Sequence, residues 1–134
     1  MSSARAAHIA LRLGAAFAFL YPPYAAIGDP VSWLAYFPRF MLALPIDKLV
    51  LLHGFGIVEV VLALWLLSGW KIRFPAICAT AILFAIVAFN ASQMDVLFRD
   101  LSVALMTLAL ALSPVYWGNG PEGRDRKAFS ETPA

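Results

Sequence analysis

Glu59 is the one charged residue in a run of 22, residues 49–70. A carboxyl group in so apolar a setting needs a partner or a use, because a lone charge away from water is costly. It can carry a proton, bind a ligand, or lock two helices together through an ion pair. Arg12 stands in a second apolar run, and its long side chain could reach toward Glu59 from a neighbouring helix. The expectation is therefore a structural pair, Arg12 with Glu59.

A second set of polar residues falls near the other end of the same runs: His53, Asn90, Arg99 and Asp100, with Tyr21 and Tyr24 flanking Pro22-Pro23. Counting helical turns brings them to one depth. The two prolines lack N–H groups, so the carbonyls of Ala18 and Phe19 lose their helical partners. Such backbone is tolerated inside a membrane where it lies against protein or a water-filled cavity. Two readings follow. The groups satisfy one another near the headgroups, or they line a pocket for a quinone headgroup or another small polar ligand. In the second, Arg99 would hold a carbonyl, and His53 or Asp100 would pass protons.

Other chemistry has less to stand on. His53 has no second histidine near it to share a metal, since His8 lies at the opposite end, so no metal site is expected. A lone histidine could still serve as axial ligand to haem or chlorophyll. Cys78 is the only cysteine, which excludes an internal disulfide, and among apolar neighbours it reads as an inert small hydrophobe. There is no P-loop, GxGxxG or HExxH motif.

The elements that carry these residues follow from composition. Of 134 residues, 62% are hydrophobic and 13% charged, with a mean hydropathy of +0.79. A soluble domain is about one quarter charged, so this chain has too few charges to coat a water-facing surface. A net charge of +2 gives no basis for a nucleic-acid partner. What remains is an integral membrane protein, its first partner the lipid bilayer.

A spanning helix needs about 20 apolar residues. Four segments meet this, at about 6–27, 49–70, 72–93 and 96–116, and they predict an all-α, antiparallel four-helix membrane bundle over 6–116. Residues 1–5 precede it. The first segment resembles a signal peptide, but Tyr24 stands where a cleavage site prefers a small residue. The 29–47 connection carries Trp33, Tyr36, Phe37, Phe40 and Met41, and reads as an interfacial aromatic belt or as a lid over a site between the helices. Residues 117–134 form a polar tail, expected to be disordered. Arg5, Arg12, Lys71, Arg73, Arg124, Arg126 and Lys127 fall on one side of such a bundle, against Arg39, Lys48 and Arg99 on the other. That asymmetry places both termini in the cytoplasm, in a bacterial inner membrane.

Small residues supply helix contacts where lipid removes the hydrophobic force between helices. Candidates are Ala10, Gly14 and Ala18; Gly56 and Ala63; and Ala81, Ala85, Ala88 and Ala91. Three short features also carry a family likeness: Arg12-Leu13-Gly14, the helix from His53-Gly54-Phe55-Gly56 to Glu59 followed by Gly69, and Phe98-Arg99-Asp100-Leu101. On these, residues 8–113 resemble the DoxX-like family of small four-helix membrane proteins. The resemblance implies a redox-associated membrane setting, with quinone as the implied small molecule. Cys78 alone departs from the branch that works with paired cysteines.

Three functional readings follow. The first is an accessory or structural subunit of a larger redox or energy-converting membrane complex, without catalytic activity of its own. The second is a quinone-linked oxidoreductase subunit with a pocket near the outer face. The third is a small transporter using Glu59.

Overall fold

A computed structural model describes residues 3–113. The described residues form six α-helices and one 3-10 turn: α1 (Ser3–Gly28), α2 (Pro30–Leu34), α3 (Arg39–Leu42), α4 (Lys48–Ser68), α5 (Arg73–Phe89), the 3-10 turn (Ala91–Gln93) and α6 (Met94–Leu112). The expected end of the last helix at 116 and the 117–134 tail lie outside them.

Local chemistry sets most of the boundaries. Asp47 caps α4, its carboxylate accepting from the Leu49 N–H at 2.7 Å. Gly69 closes α4 with φ +73°, the left-handed geometry that glycine adopts without a Cβ penalty. Asp29 caps α2 and accepts from the Ser32 N–H and hydroxyl, and Pro30 opens that helix, where a missing N–H costs nothing. Pro22 and Pro23 lie inside α1, which continues through them.

α1 has 26 residues and α4 has 21, and each is long and apolar enough to cross a membrane. α5 and α6 meet that measure only when taken together across the sharp bend at Asn90. The four separate spans expected from the sequence are thus reduced to two that qualify alone. The reason lies at the Asn90 corner. α5 stops after 17 residues, about 25 Å, and the first two turns of α6 carry Asp95, Arg99 and Asp100.

The core is built of small residues. Ala15, Ala16, Ala63, Ala76, Ala79 and Ala104 are fully or almost fully buried, with Phe19, Leu66 and Leu110 filling the space between helices. α1 packs on α4, α5 on α6, and the contacts of α1 with α6 and α4 with α5 close the circuit. α1 and α4 run in opposite directions, since Arg12 meets Leu66 and Leu67 while Pro23 meets Gly56. α5 and α6 are joined by a hydrogen bond between the buried Thr80 and Thr107 hydroxyls, 2.8 Å apart.

The predicted small-residue stripes are corrected in two places. On α5 the buried alanines are Ala76 and Ala79, whereas Ala81, Ala85 and Ala88 are exposed, as is Ala91 in the 3-10 turn. On α1, Ala15 and Ala16 are buried while Ala10 and Gly14 are exposed. Alanines occur on more than one face of each helix, and the face that turns inward is the one carrying Phe19 on α1 and Thr80, Leu83 and Val87 on α5.

Candidate functional site

The 29–47 segment holds α2 and α3 and folds over one end of the four long helices. Between it and them lies a partly open cavity of about 230 Å³. Phe19, Pro22 and Pro23 line it from α1; Leu52, Phe55, Gly56 and Glu59 from α4; Leu83, Ile86 and Phe89 from α5; and Arg99 and Asp100 from α6. Trp33, Tyr36, Phe37, Phe40 and Met41 close it from the connecting segment. These aromatics therefore take the lid position.

The lid packs on α1 and α4 through α2 and is tied down by a hydrogen bond and two ring contacts. The Asn90 side-chain amide donates to the Tyr36 carbonyl at 2.9 Å and to the Ile86 carbonyl of its own helix at 2.9 Å. Phe37 meets Phe55 edge-on at 5.5 Å between ring centres, and Phe40 meets Phe89 likewise at 5.4 Å. Asn90 is thus a tether for the lid, buried behind the cavity wall.

Leu52, Phe55, Gly56 and Glu59 share one face of α4 by the spacing of three and four residues. Gly56 allows the close approach that sets this face against α1: a Cβ there would stand 3.1 Å from Pro23 Cβ. Ala18 and Phe19, whose carbonyls have no proline N–H to accept from, line the same cavity. The signal for this face was present in the sequence as the 52-55-56-59 spacing.

The expected Arg12–Glu59 pair is not formed. Arg12 is buried, its Nε donating to the Leu66 carbonyl at 2.9 Å and its Nη2 to the Leu67 carbonyl. These are last-turn carbonyls of α4, left without intrahelical donors where the helix ends, and a cation there also meets the negative end of the helix dipole. Glu59 lies seven residues before Leu66, about 10 Å further along the axis. Glu59 itself is 8% exposed, faces the cavity, and makes no hydrogen bond or ion pair among the described residues.

Of the six residues expected to bind a ligand, the structure brings two to the cavity. Arg99 and Asp100 line it and form an ion pair at 3.4 Å, with the Arg99 side chain 55% exposed. Asn90 lies behind the wall. His53, Tyr21 and Tyr24 are corrected to the outer surface: His53 shares a hydrogen bond of 2.7 Å with the Leu49 carbonyl of its own helix, and Tyr24 is 75% exposed. Their chain neighbours Leu52, Pro22 and Pro23 line the cavity, but depth along a helix says nothing about which face turns inward. Cys78 is also exposed. Among the described residues no group of three or more His, Cys, Asp or Glu side chains could hold a metal ion.

Compared with protein-family models, curated proteins and solved structures, the chain matches none. The likeness to DoxX-like proteins therefore rests on its short sequence features alone.

Proposed function

We propose that this is an integral membrane protein whose four long helices form an antiparallel bundle and hold an amphipathic small molecule in the lidded cavity. The observation that carries this reading is the cavity itself. An apolar, aromatic wall converges on three ionisable side chains, Glu59, Arg99 and Asp100, the usual make-up of a small-molecule site. Its volume is below the roughly 300–1,000 Å³ of sites that enclose a drug-sized ligand, so it suits a headgroup or a single ring with the remainder extending toward lipid. A quinone ring is one ligand of that size, and the redox-linked resemblance supports it. Charge asymmetry supports an inner-membrane location with both termini in the cytoplasm, which would set the cavity toward the outer face.

The test is to purify the protein in mild detergent, extract it with organic solvent, and identify what is released by mass spectrometry. A stoichiometric small molecule is expected from the wild type. It should be lost from Ala18→Phe, which fills the cavity from α1, while thermal unfolding shows that the variant remains folded. An empty wild-type cavity, insensitive to added quinones and amphiphiles, would refute the reading.

A second reading is an accessory subunit of a larger redox or energy-converting complex. It is favoured by Ala81 and Ala88, two turns apart and exposed on α5, because small residues allow close helix contact within lipid. Co-purification of a stoichiometric membrane partner, lost on Ala88→Leu, is the result expected of it.

A further inference from the structure

We infer that the cavity selects an organic monocation with an apolar or aromatic body, its positive centre lodged beside Glu59 and beneath the lid aromatics. This rests on the small-molecule reading above and names the ligand's chemical class.

The charged groups on the wall are two carboxyls and one guanidinium. Arg99 and Asp100 already pair with each other at 3.4 Å. Arg12, the cation expected for Glu59, is held by the carbonyls of Leu66 and Leu67. Glu59 is thus left buried, facing the cavity, without a hydrogen bond or ion pair among the described residues. When all three wall groups are ionised they sum to −1, and one positive charge balances them.

The rest of the wall suits the same guest. Trp33, Tyr36, Phe37, Phe40, Phe55 and Phe89 contribute aromatic rings around the space that Glu59 faces. Aromatic faces attract cations, most strongly where water is excluded. A cavity built for an anion would aim its guanidinium at the guest, whereas the Arg99 side chain is 55% exposed and contacts Asp100 at 3.4 Å.

The experiment titrates the purified full-length protein in detergent with three probes of similar shape: benzyltrimethylammonium, its neutral isostere neopentylbenzene, and benzenesulfonate. The cation should bind at least tenfold more tightly than the neutral isostere, and the sulfonate should show no binding. Glu59→Gln should weaken cation binding at least tenfold, and Glu59→Asp, which keeps the charge, should retain most of it. Circular dichroism and thermal unfolding of each variant show that the fold persists. If Glu59→Gln fails to fold, the probe comparison on wild type still decides.

Equal binding of cation and neutral isostere, or cation binding unchanged in a folded Glu59→Gln, would overturn the inference. If a neutral quinone binds and the cation does not, the inference falls while the small-molecule reading stands. If no probe and no quinone binds, both fall.

Discussion

Arg12 and Glu59 show how strongly helix register decides the role of a charge in an apolar helix. Arg12 supplies donors to two carbonyls that the end of α4 leaves unpaired. Hydrogen bonds from a charged group are worth about 1.5–3 kcal/mol, so Arg12→Gln should lower stability by about that much in a detergent unfolding titration. Because Glu59 is about 10 Å away along α4 and shares no partner with Arg12, the Arg12→Gln and Glu59→Gln effects should add to within about 0.5 kcal/mol. A coupling well above that would restore the pair that the two side chains' types suggested. Gly69 belongs to the same unit: its φ is +73°, and a Cβ there would stand 2.8 Å from Arg12 Nη2. Gly69→Ala should therefore cost about 1–2 kcal/mol for the left-handed backbone alone, with further loss from displacing the guanidinium.

At the scale of elements, the connection between α1 and α4 changes character. Its apolar residues would serve as a belt in the interface, but α2 and α3 turn Trp33, Tyr36, Phe37 and Phe40 onto the cavity. The Asn90 amide, at the C-cap of α5, gives this segment a side-chain hydrogen bond at the Tyr36 carbonyl. Asn90→Ala should leave the long helices folded while raising hydrogen exchange across residues 30–42 and speeding ligand release several-fold by stopped-flow. Unchanged exchange there would show that the ring contacts of Phe37 and Phe40 suffice.

The lid's first helix also has a pH response. The Ser32 hydroxyl and N–H both donate to Asp29 and hold its carboxyl below its usual value of 3.8. A carboxylate whose folded-state pKa is depressed contributes stability above the unfolded value, and that contribution is lost as pH falls through the lower, folded value. The α2 cap should thus be intact at neutral pH and weaken only below pH 3.8. Ser32→Ala should return the Asp29 titration, followed by NMR, toward its usual position.

For the whole molecule, the proposed orientation rests on where lysine and arginine collect, and it would set the compartment from which a ligand reaches the cavity. In a Cys78→Ser background, needed because Cys78 is exposed, a cysteine at Ser32 should react with an impermeant thiol reagent applied outside intact cells. One at Lys71, on the opposite turn, should react only after the membrane is opened. The reverse pattern would invert the protein and turn the cavity toward the cytoplasm.

The sequence by itself determined the helical class, the segments that become α1 and α4, and the residues able to do chemistry. Hydropathy over 20 residues and scarce charge are properties of consecutive positions, as are the caps at Asp47 and Gly69, so they are legible in one dimension. It also marked Glu59 as a residue in need of a partner. Only the tertiary structure decided which partner was withheld. Rotation of each helix about its axis sends His53, Tyr21 and Tyr24 outward and Glu59, Arg99 and Asp100 to the cavity, and axial register sends Arg12 to the end of α4. Both quantities arise from packing among several alanine-bearing faces that the sequence leaves nearly equivalent. The close approach of Gly56 to Pro23 and the fold of the lid select one of them.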